Sequence, residues 1–412
     1  MLVLNVGSSS VKFRAWVLGP AGWQLDCRGQ LAGIGTAPVF RVWRAGCDQP
    51  ADDTPYGPID DAATAVAHVA DWLEARLGAG RVSAVGHRVV HGGPRHADPV
   101  VVTSEVLAGL RELVPLAPLH QPACLDGIEA MARRWPGVPQ VACFDTAFHR
   151  GQPEVASVLA LPAHVRQAGV QRYGFHGLSY EYIAAQLPRV APDVAAGRVI
   201  VAHLGSGASL CAIHGGRSVD QTFGMTPLDG LCMGTRPGSL DPGVVLFLLR
   251  ELRLGADEVE RLLYGRSGLL GLSGISADVR DLLASDAPAA RLAIDYFVYR
   301  AAREIGALAA VLGGVDALVF TAGIGEHSPE IRARISAACA WLGVSLDPDA
   351  NLKGRTVISA RSSRLRVFVI PTDEEHTIAQ HAARLAGLPP LTGVAGHRWA
   401  GSTAPARPGA GS

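Results

Sequence analysis

The sequence predicts an α/β protein built as a duplicated fold, two domains with the active site between them. Three segments carry this expectation. Leu2-Val3-Leu4-Asn5-Val6 runs into Gly7-Ser8-Ser9-Ser10, and Val199-Ile200-Val201-Ala202-His203-Leu204 runs into Gly205-Ser206-Gly207. Leu318-Val319-Phe320 runs into Thr321-Ala322-Gly323-Ile324-Gly325. Each is an apolar, β-like run that ends in small residues, where backbone N–H groups can close around phosphate. A strand, a Gly/Ser turn and a second strand open the chain, and the same order opens its second half.

A length of 412 residues exceeds one ordinary core and predicts two domains of comparable size. The chain holds 37 Lys+Arg and 37 Asp+Glu, so no excess of positive charge favours a nucleic-acid partner. Seven cysteines, with no Cys-x-x-Cys pair, predict reduced thiols and a cytoplasmic protein. The N-terminus reads as a strand rather than a signal segment, and no apolar run has the length of a membrane span. Residues 391–412 are rich in Gly, Ala, Ser and Pro and predict a disordered tail.

Along the chain, residues 2–6 and 11–18 read as a hairpin around the first small-residue turn. Residues 61–77 have helical spacing, with Val66, Val69, Trp72, Leu73 and Leu77 facing a core. A strand over 82–90 precedes His91-Gly92-Gly93, and a helix follows over 106–113. Ala117-Pro118-Leu119-His120-Gln121-Pro122 reads as a rigid loop feeding a helix from Ala123. A strand over 138–144 ends at Asp145-Thr146-Ala147-Phe148-His149. Tyr173-Gly174-Phe175-His176-Gly177 is a glycine-bracketed turn before a helix over 179–186.

In the second half, strands over 199–204 and 209–213 flank the second turn, and Gly215-Gly216 predicts a type I′ hairpin into 217–222. From Asp241 to Leu312 the pattern is mainly helical, with Pro242 suited to a first turn. A buried strand over 315–320 leads to the third turn and a helix from Pro329. A last strand over 365–370 precedes Pro371-Thr372-Asp373-Glu374-Glu375 and a closing helix.

Small-residue turns of this kind predict phosphoryl transfer, which needs positioning, neutralisation of phosphate charge and a metal near the phosphates. Arg88, beside His87 and His91, and Arg236, within Met233-Gly234-Thr235-Arg236-Pro237-Gly238, are the candidate cations. His120, His176 and His203 are candidate donors to a phosphoryl group. Asp145 ends a strand and suits an orienting acid or a base, and Asp278 and Arg280 lie in a candidate binding loop. Glu374 and Glu375 suit magnesium, and the same segment also suits helix capping. The histidines form no zinc signature. The Gly-x-x-x-x-Gly-Lys-Ser/Thr loop and the protein-kinase signature set are absent, so a nucleotide site would be assembled from separated turns.

Taken together, these pieces resemble the acetate kinase family, within the actin-like, sugar-kinase-like ATPase superfamily (a ribonuclease H-like fold). The resemblance rests on the segments from Leu4 to Phe13, His87 to Gly93, Ala117 to His120, Phe144 to His149 and Arg172 to Gly177. It continues through the two later turns, Met225-Thr226-Pro227-Leu228-Asp229-Gly230, the Arg236 loop and Pro371 to Glu375. It implies an N-terminal domain over 1–149 completed by 375–390, a nucleotide-binding domain over 150–374, and the active site in the cleft.

The implied reaction is reversible, magnesium-dependent transfer from ATP to acetate, giving acetyl phosphate and ADP. Manganese could replace magnesium, and the protein would be a homodimer. Asp145, Arg88, Arg236 and His176 are the implied catalytic set, and Asn5 and Glu374 the implied metal ligands. Val90, Leu119, Phe175 and Pro227 would surround the acetate methyl, with Arg88 and His120 also on the substrate. Lys12, His203, Gly205, Ser206, Gly207, Asp278, Val279, Arg280, Gly323, Ile324, Gly325 and His327 would serve the nucleotide.

The chain departs from the usual family pattern at Ser206, His327, Gln121 and Asp373, where asparagine is usual. It also departs at Tyr180, where histidine is frequent, and at Pro237, where serine is. Propionate or another short-chain carboxylate is the alternative acceptor, since one methylene changes binding only modestly. An alcohol or sugar kinase and a non-enzymatic nucleotide-binding module are the more distant readings.

Overall fold

Alternating apolar residues at the start of the chain build the first of two sheets. In the computed structural model, which describes all residues except Ser8, Asp48, Tyr56, Ala79 and 392–412, β1 (Leu2–Val6) pairs antiparallel with β2 (Ser10–Gly19). Ser8 of the first turn and most of the expected disordered tail therefore lie outside the described residues. The hairpin continues into β3 (Gly22–Ala32), β4 (Val39–Arg44) and β5 (Asp52–Pro55). On its other side β1 pairs parallel with β6 (Val85–Val89). With β7 (Val100–Val101) and β8 (Gln140–Phe144) the order is β5-β4-β3-β2-β1-β6-β8-β7.

The strands β3 to β5 are not expected from the sequence. A register shift between Ala15 and Trp16 pairs Ala15 with Cys27 but Trp16 with Leu25, so a two-residue period is broken inside β3. The core beneath this sheet is nevertheless regular. The helix Ala62–Leu77, capped by Asp61 accepting from Thr64 N at 2.7 Å, buries Val66, Val69 and Leu73. Trp72 and Leu77 pack at the edge of the same cluster. The rings of Phe13, Phe40 and Trp72 have centroids 5.6 to 6.0 Å apart. Each such side chain contributes about 1.5–3 kcal/mol by leaving water. The helix Gln121–Arg134 starts two residues before the expected Ala123, because Pro122 lacks an N–H and the first turn has no intrahelical acceptor for one.

The second sheet is built from β9 (Arg198–Leu204), β10 (Ala208–His214), β11 (Arg217–Gln221), β12 (Ala317–Thr321) and β13 (Arg366–Val369), in the order β11-β10-β9-β12-β13. Gly215 and Gly216 both have positive φ, 57° and 75°, as a type I′ turn requires. The helical region after Asp241 comprises, among the described residues, Pro242–Arg250, Ala256–Gly265, Gly268–Ser273, Val279–Leu283 and Pro288–Leu312. The third small-residue segment is not an open turn. It winds into the helix Ala322–His327 directly after β12.

The described residues divide into two units. One comprises Met1–Val89, Pro99–Cys143 and the segment from Glu375, and the other Val90–Asp98 and Phe144–Glu374. No helix among the described residues is long and apolar enough to cross a membrane.

In the first unit the helix Glu374–Leu385 lies against β6 at Gly86. A Cβ on Gly86 would stand 2.6 Å from Ile378 Cγ2 and 3.2 Å from Ala382 Cβ. Gly86→Ala should therefore lower the stability of this unit by about 1–3 kcal/mol. Urea unfolding followed by Trp fluorescence measures it, and an unchanged midpoint would mean that the closing helix is not packed this tightly.

Candidate active site

In the second unit the two-residue period of the strands fixes the site. Val199 and Val201 of β9 and Cys211 and Ile213 of β10 face the helix Gly177–Val190, where Tyr180, Ile183 and Leu187 cover them. Continuing that face to the β9–β10 turn brings His203 and Ser209 opposite each other. Thr321 of β12 is paired with His203 on the other side. Polar residues thus replace apolar ones only at one end of the layer, beneath the first turn of the helix.

His176 precedes that helix with φ 57° and ψ 21°, a left-handed backbone in a residue that carries a Cβ. Gly177 N donates to Asp145 O at 2.8 Å, which ties the turn to the end of β8. The Asp145 residue is 1% exposed. His176 Nδ1 lies 2.9 Å from Ser209 Oγ, and Tyr180 OH bonds the same oxygen. The His176 ring stacks on His203 at 4.0 Å and meets the edge of Phe223 at 5.1 Å. His203 Nδ1 lies 2.8 Å from Ser179 Oγ, which in turn receives Thr372 Oγ1 at 2.8 Å.

Gly207 marks where these groups converge. A Cβ there would stand 2.9 Å from Arg236 Nη2 and 3.3 Å from His176 Nε2. A larger residue here would have to displace the end of the Arg236 side chain. Arg236 Nη1 donates to Pro227 O at 2.7 Å, so a backbone carbonyl aims the guanidinium. Gly234 N donates to Ser206 O at 3.1 Å, and a Cβ on Gly234 would be 3.2 Å from Ala277 O. The loops bearing Ser206, Arg236 and Asp278 are therefore neighbours. Gly205 lies beside Ala322, which is itself left-handed with φ 63°.

Other nucleotide-side candidates are more open. Asp278 caps the helix Val279–Leu283 and pairs with Arg280 at 2.6 Å, with the arginine side chain 88% exposed. Val279 is buried, while Gly323 and His327 are exposed and Ile324 partly so. Gly325 is buried against Ala202 and Phe320. Among the acyl-pocket candidates of this unit, Val90, Phe175 and Pro227 are buried. The Phe175 ring meets Phe223 at 5.6 Å and His91 at 5.7 Å.

In the first unit Asn5 of β1 is registered opposite Lys12 of β2, and Arg88 Nη1 donates to Asn5 Oδ1 at 3.2 Å. Arg88, Asn5 and Lys12 thus form a polar row across three adjacent strands. Leu119 is 45% exposed, and His120 is the residue before the helix Gln121–Arg134. Glu374 opens the helix Glu374–Leu385. Two grooves, of about 350 Å³ beside Leu107 and Ile128 and about 630 Å³ beside Ala333 and Leu346, include none of the candidate residues.

The sequence reading missed Ser179, Ser209, Phe223 and Thr372 as support for the two histidines. The available signal was Ser209, a polar residue on the apolar face of β10 two positions before Cys211. Two neighbouring histidines are held neutral by burial. His149 is pushed down to about 4, with its ring nitrogens engaged by Ser218 Oγ and Phe175 O, and His91 is pushed down to about 4 as well. Burial pushes the Glu326 carboxyl up against the opposing effect of Thr372 N and Ala322 N, which donate to it.

A profile of the Acetokinase family matches residues 1–380. The acetate kinase of Rhodopseudomonas palustris is 55% identical over 392 residues, covering 94% of this chain and 98% of the relative. The crystal structure of Porphyromonas gingivalis acetate kinase is similar with a TM-score of 0.83 at 37% identity, covering 93% of this chain and 98% of that one. A propionate kinase from Francisella tularensis is similar with a TM-score of 0.86 at 35% identity, covering 93% and 99%. The chain belongs to the Acetokinase family.

The buried histidines give a pH prediction. In the unfolded chain His149 and His91 take up protons near 6.5, but in the folded protein only near about 4. The unfolded state then binds more protons, so stability is complete above pH 6.5 and is lost as pH falls toward 4. The slope is at most about 1.4 kcal/mol per pH unit for each histidine. Unfolding midpoints measured from pH 7 to pH 4 should fall with this sign, and a flat profile would contradict neutral burial.

Proposed function

We propose that the chain is an acetate kinase, which transfers the terminal phosphoryl group of ATP to acetate and runs reversibly. The observation that carries the reading is the approach of Arg236 and His176 to Gly207, within a chain that resembles acetate kinases over nearly its whole length. A carboxylic acid with a pKa near 4–5 is ionised at neutral pH, so the acceptor needs no strong base. The requirement is to hold anionic groups together and to stabilise charge on the transferring oxygens. Arg236, aimed by Pro227 O, supplies fixed positive charge, and His176 Nε2 supplies a directed donor.

Asp145 orients the turn that carries His176 through its backbone carbonyl. In the first unit Arg88, steadied by Asn5, is proposed for the carboxylate, with His120 beside it. Val90, Leu119, Phe175 and Pro227 are proposed to surround the methyl group. The Gly205–Gly207 turn, His203, Lys12, residues 278–280 and the Gly323–His327 segment are proposed for the nucleotide.

Magnesium is proposed as the metal, with Asn5 and Glu374 as its protein partners. Among the described residues no group of three or more His, Cys, Asp or Glu side chains is placed to hold a metal. An amide oxygen and a carboxylate suit an ion that keeps waters and is bound largely by phosphate oxygens. When bound, it neutralises phosphate charge.

Two further readings belong here. A cytoplasmic location fits seven cysteines that are all free thiols. A homodimer fits the helix Pro242–Arg250, none of whose residues is buried although Val244, Leu246, Phe247 and Leu249 are exposed on it. A patch of this kind on a lone chain calls for a partner surface. Phe247→Asp should shift the mass seen by light scattering from two chains to one, whereas a monomeric wild type would refute the dimer.

The assay that tests the function mixes purified protein and ATP with acetate, propionate or butyrate at equal concentration, with and without magnesium, and measures acyl phosphate. Acetate should be used well, and propionate within roughly 10–200-fold of it, the range of one methylene. No acyl phosphate with any of the three would overturn the assignment, and a preference for butyrate would overturn the acceptor. Gly207→Ala places a methyl 2.9 Å from Arg236 Nη2. It should reduce kcat roughly 100-fold through displacement of the guanidinium, with folding retained by circular dichroism.

A further inference from the structure

We propose that Tyr180 is a positioning residue: through Ser209 it holds His176 as the neutral tautomer that carries its proton on Nε2. Three hydrogen-bonding groups lie in a row. Tyr180 OH bonds Ser209 Oγ, and Ser209 Oγ lies 2.9 Å from His176 Nδ1. Tyr180 and Ser209 are both fully buried, so each hydroxyl proton must find an acceptor inside the protein. Burial pushes the Tyr180 phenol well above its ordinary value, so it keeps its proton. The phenol donates to Ser209 Oγ, the Ser209 hydroxyl then donates onward to Nδ1, and Nδ1 is left as the acceptor.

The ring proton is consequently on Nε2, the atom that faces Gly207 and Arg236. An imidazolium would need Nδ1 to donate to Ser209, leaving the Ser209 proton without this acceptor. Arg236 nearby also opposes a second positive charge there. The same device recurs one residue earlier on the helix. Thr372 Oγ1 donates to Ser179 Oγ, which lies 2.8 Å from His203 Nδ1. The side chains at 179 and 180 thus feed two stacked imidazoles from their Nδ1 side.

The use of this tautomer as a donor to the transferring phosphoryl rests on the acetate kinase reading, whereas the tautomer itself does not. Nitrogen-15 spectra of His-labelled full-length protein at neutral pH test it, with His176→Gln assigning the signals. In the wild type His176 Nδ1 should resonate as an unprotonated ring nitrogen and Nε2 as a protonated one. In Tyr180→Phe the Ser209 hydroxyl can rotate, so a mixture of tautomers should appear. The variant's kcat should fall roughly three- to tenfold at unchanged KM for ATP, the size of one hydrogen bond.

A protonated Nδ1 in the wild type would overturn the proposal, even if Tyr180→Phe fails to fold. So would a folded Tyr180→Phe protein with unaltered tautomer populations. Absence of acyl phosphate formation by the wild type would instead refute the function and leave the spectral result standing.

Discussion

The left-handed backbone of His176 is the constraint on which the second unit's site depends. A side chain with a Cβ costs of the order of 1–3 kcal/mol in such a conformation unless its surroundings enforce it. Here they do so from several directions. Gly177 N is bonded to Asp145 O, Tyr180 N is bonded to His176 O at 3.1 Å, and the ring is gripped by Ser209, His203 and Phe223. Relaxing the backbone would swing the imidazole away from Gly207 and break the bond from Gly177 N to Asp145 O. The conformation therefore couples the position of the His176 ring to that of Asp145.

That coupling explains an otherwise unfavourable choice of residues. The interior of this layer is apolar, and His203, Ser209 and Ser179 are buried polar groups at its end. Isolated, each would cost about 1–3 kcal/mol, but hydroxyl-to-imidazole pairs satisfy two buried groups with one bond. The positive charge at this turn rests on Arg236, whose direction is fixed by Pro227 O.

Much of the architecture was legible because it rests on short-range pattern. The strands over 199–204 and 209–213, the Gly215-Gly216 turn and the helix over 61–77 follow from periodicity and turn chemistry, with boundaries displaced by a few residues. The β3–β5 meander was not legible, because the register shift at Ala15 and Trp16 interrupts the alternation that would reveal it. At the site, Arg236, His176 and Gly207 were visible as residue types beside glycine, and their mutual approach was not, since it joins residues far apart in sequence. Ser209 and Ser179 were hidden for a different reason. Ser209 shows only as a lone polar residue on an apolar face, and it takes the pairing of His203 with Ser209 across β9 and β10 to give it a role.

The third small-residue segment shows how a local misreading can leave the larger argument intact. Ala322–His327 is a helix of little more than one turn, too short to be stable by its own hydrogen bonds. Both ends are held by side chains of the sign that the helix dipole favours. Glu326 accepts from Ala322 N at 2.8 Å at the N-terminal end. Arg332, only 1% exposed, donates to Gly325 O and Glu326 O at 2.9 Å each and to Asn351 Oδ1 at 2.8 Å. Burial lowers Arg332 to about 10, which still leaves it charged at neutral pH. The glycines of this segment are therefore held in place by the side chains of Glu326 and Arg332 rather than by the turn itself. His327 lies at the exposed end, outside that clamp, where a change from the usual asparagine leaves the backbone anchored. Ser206 follows the same logic, since its carbonyl, not its side chain, receives Gly234 N.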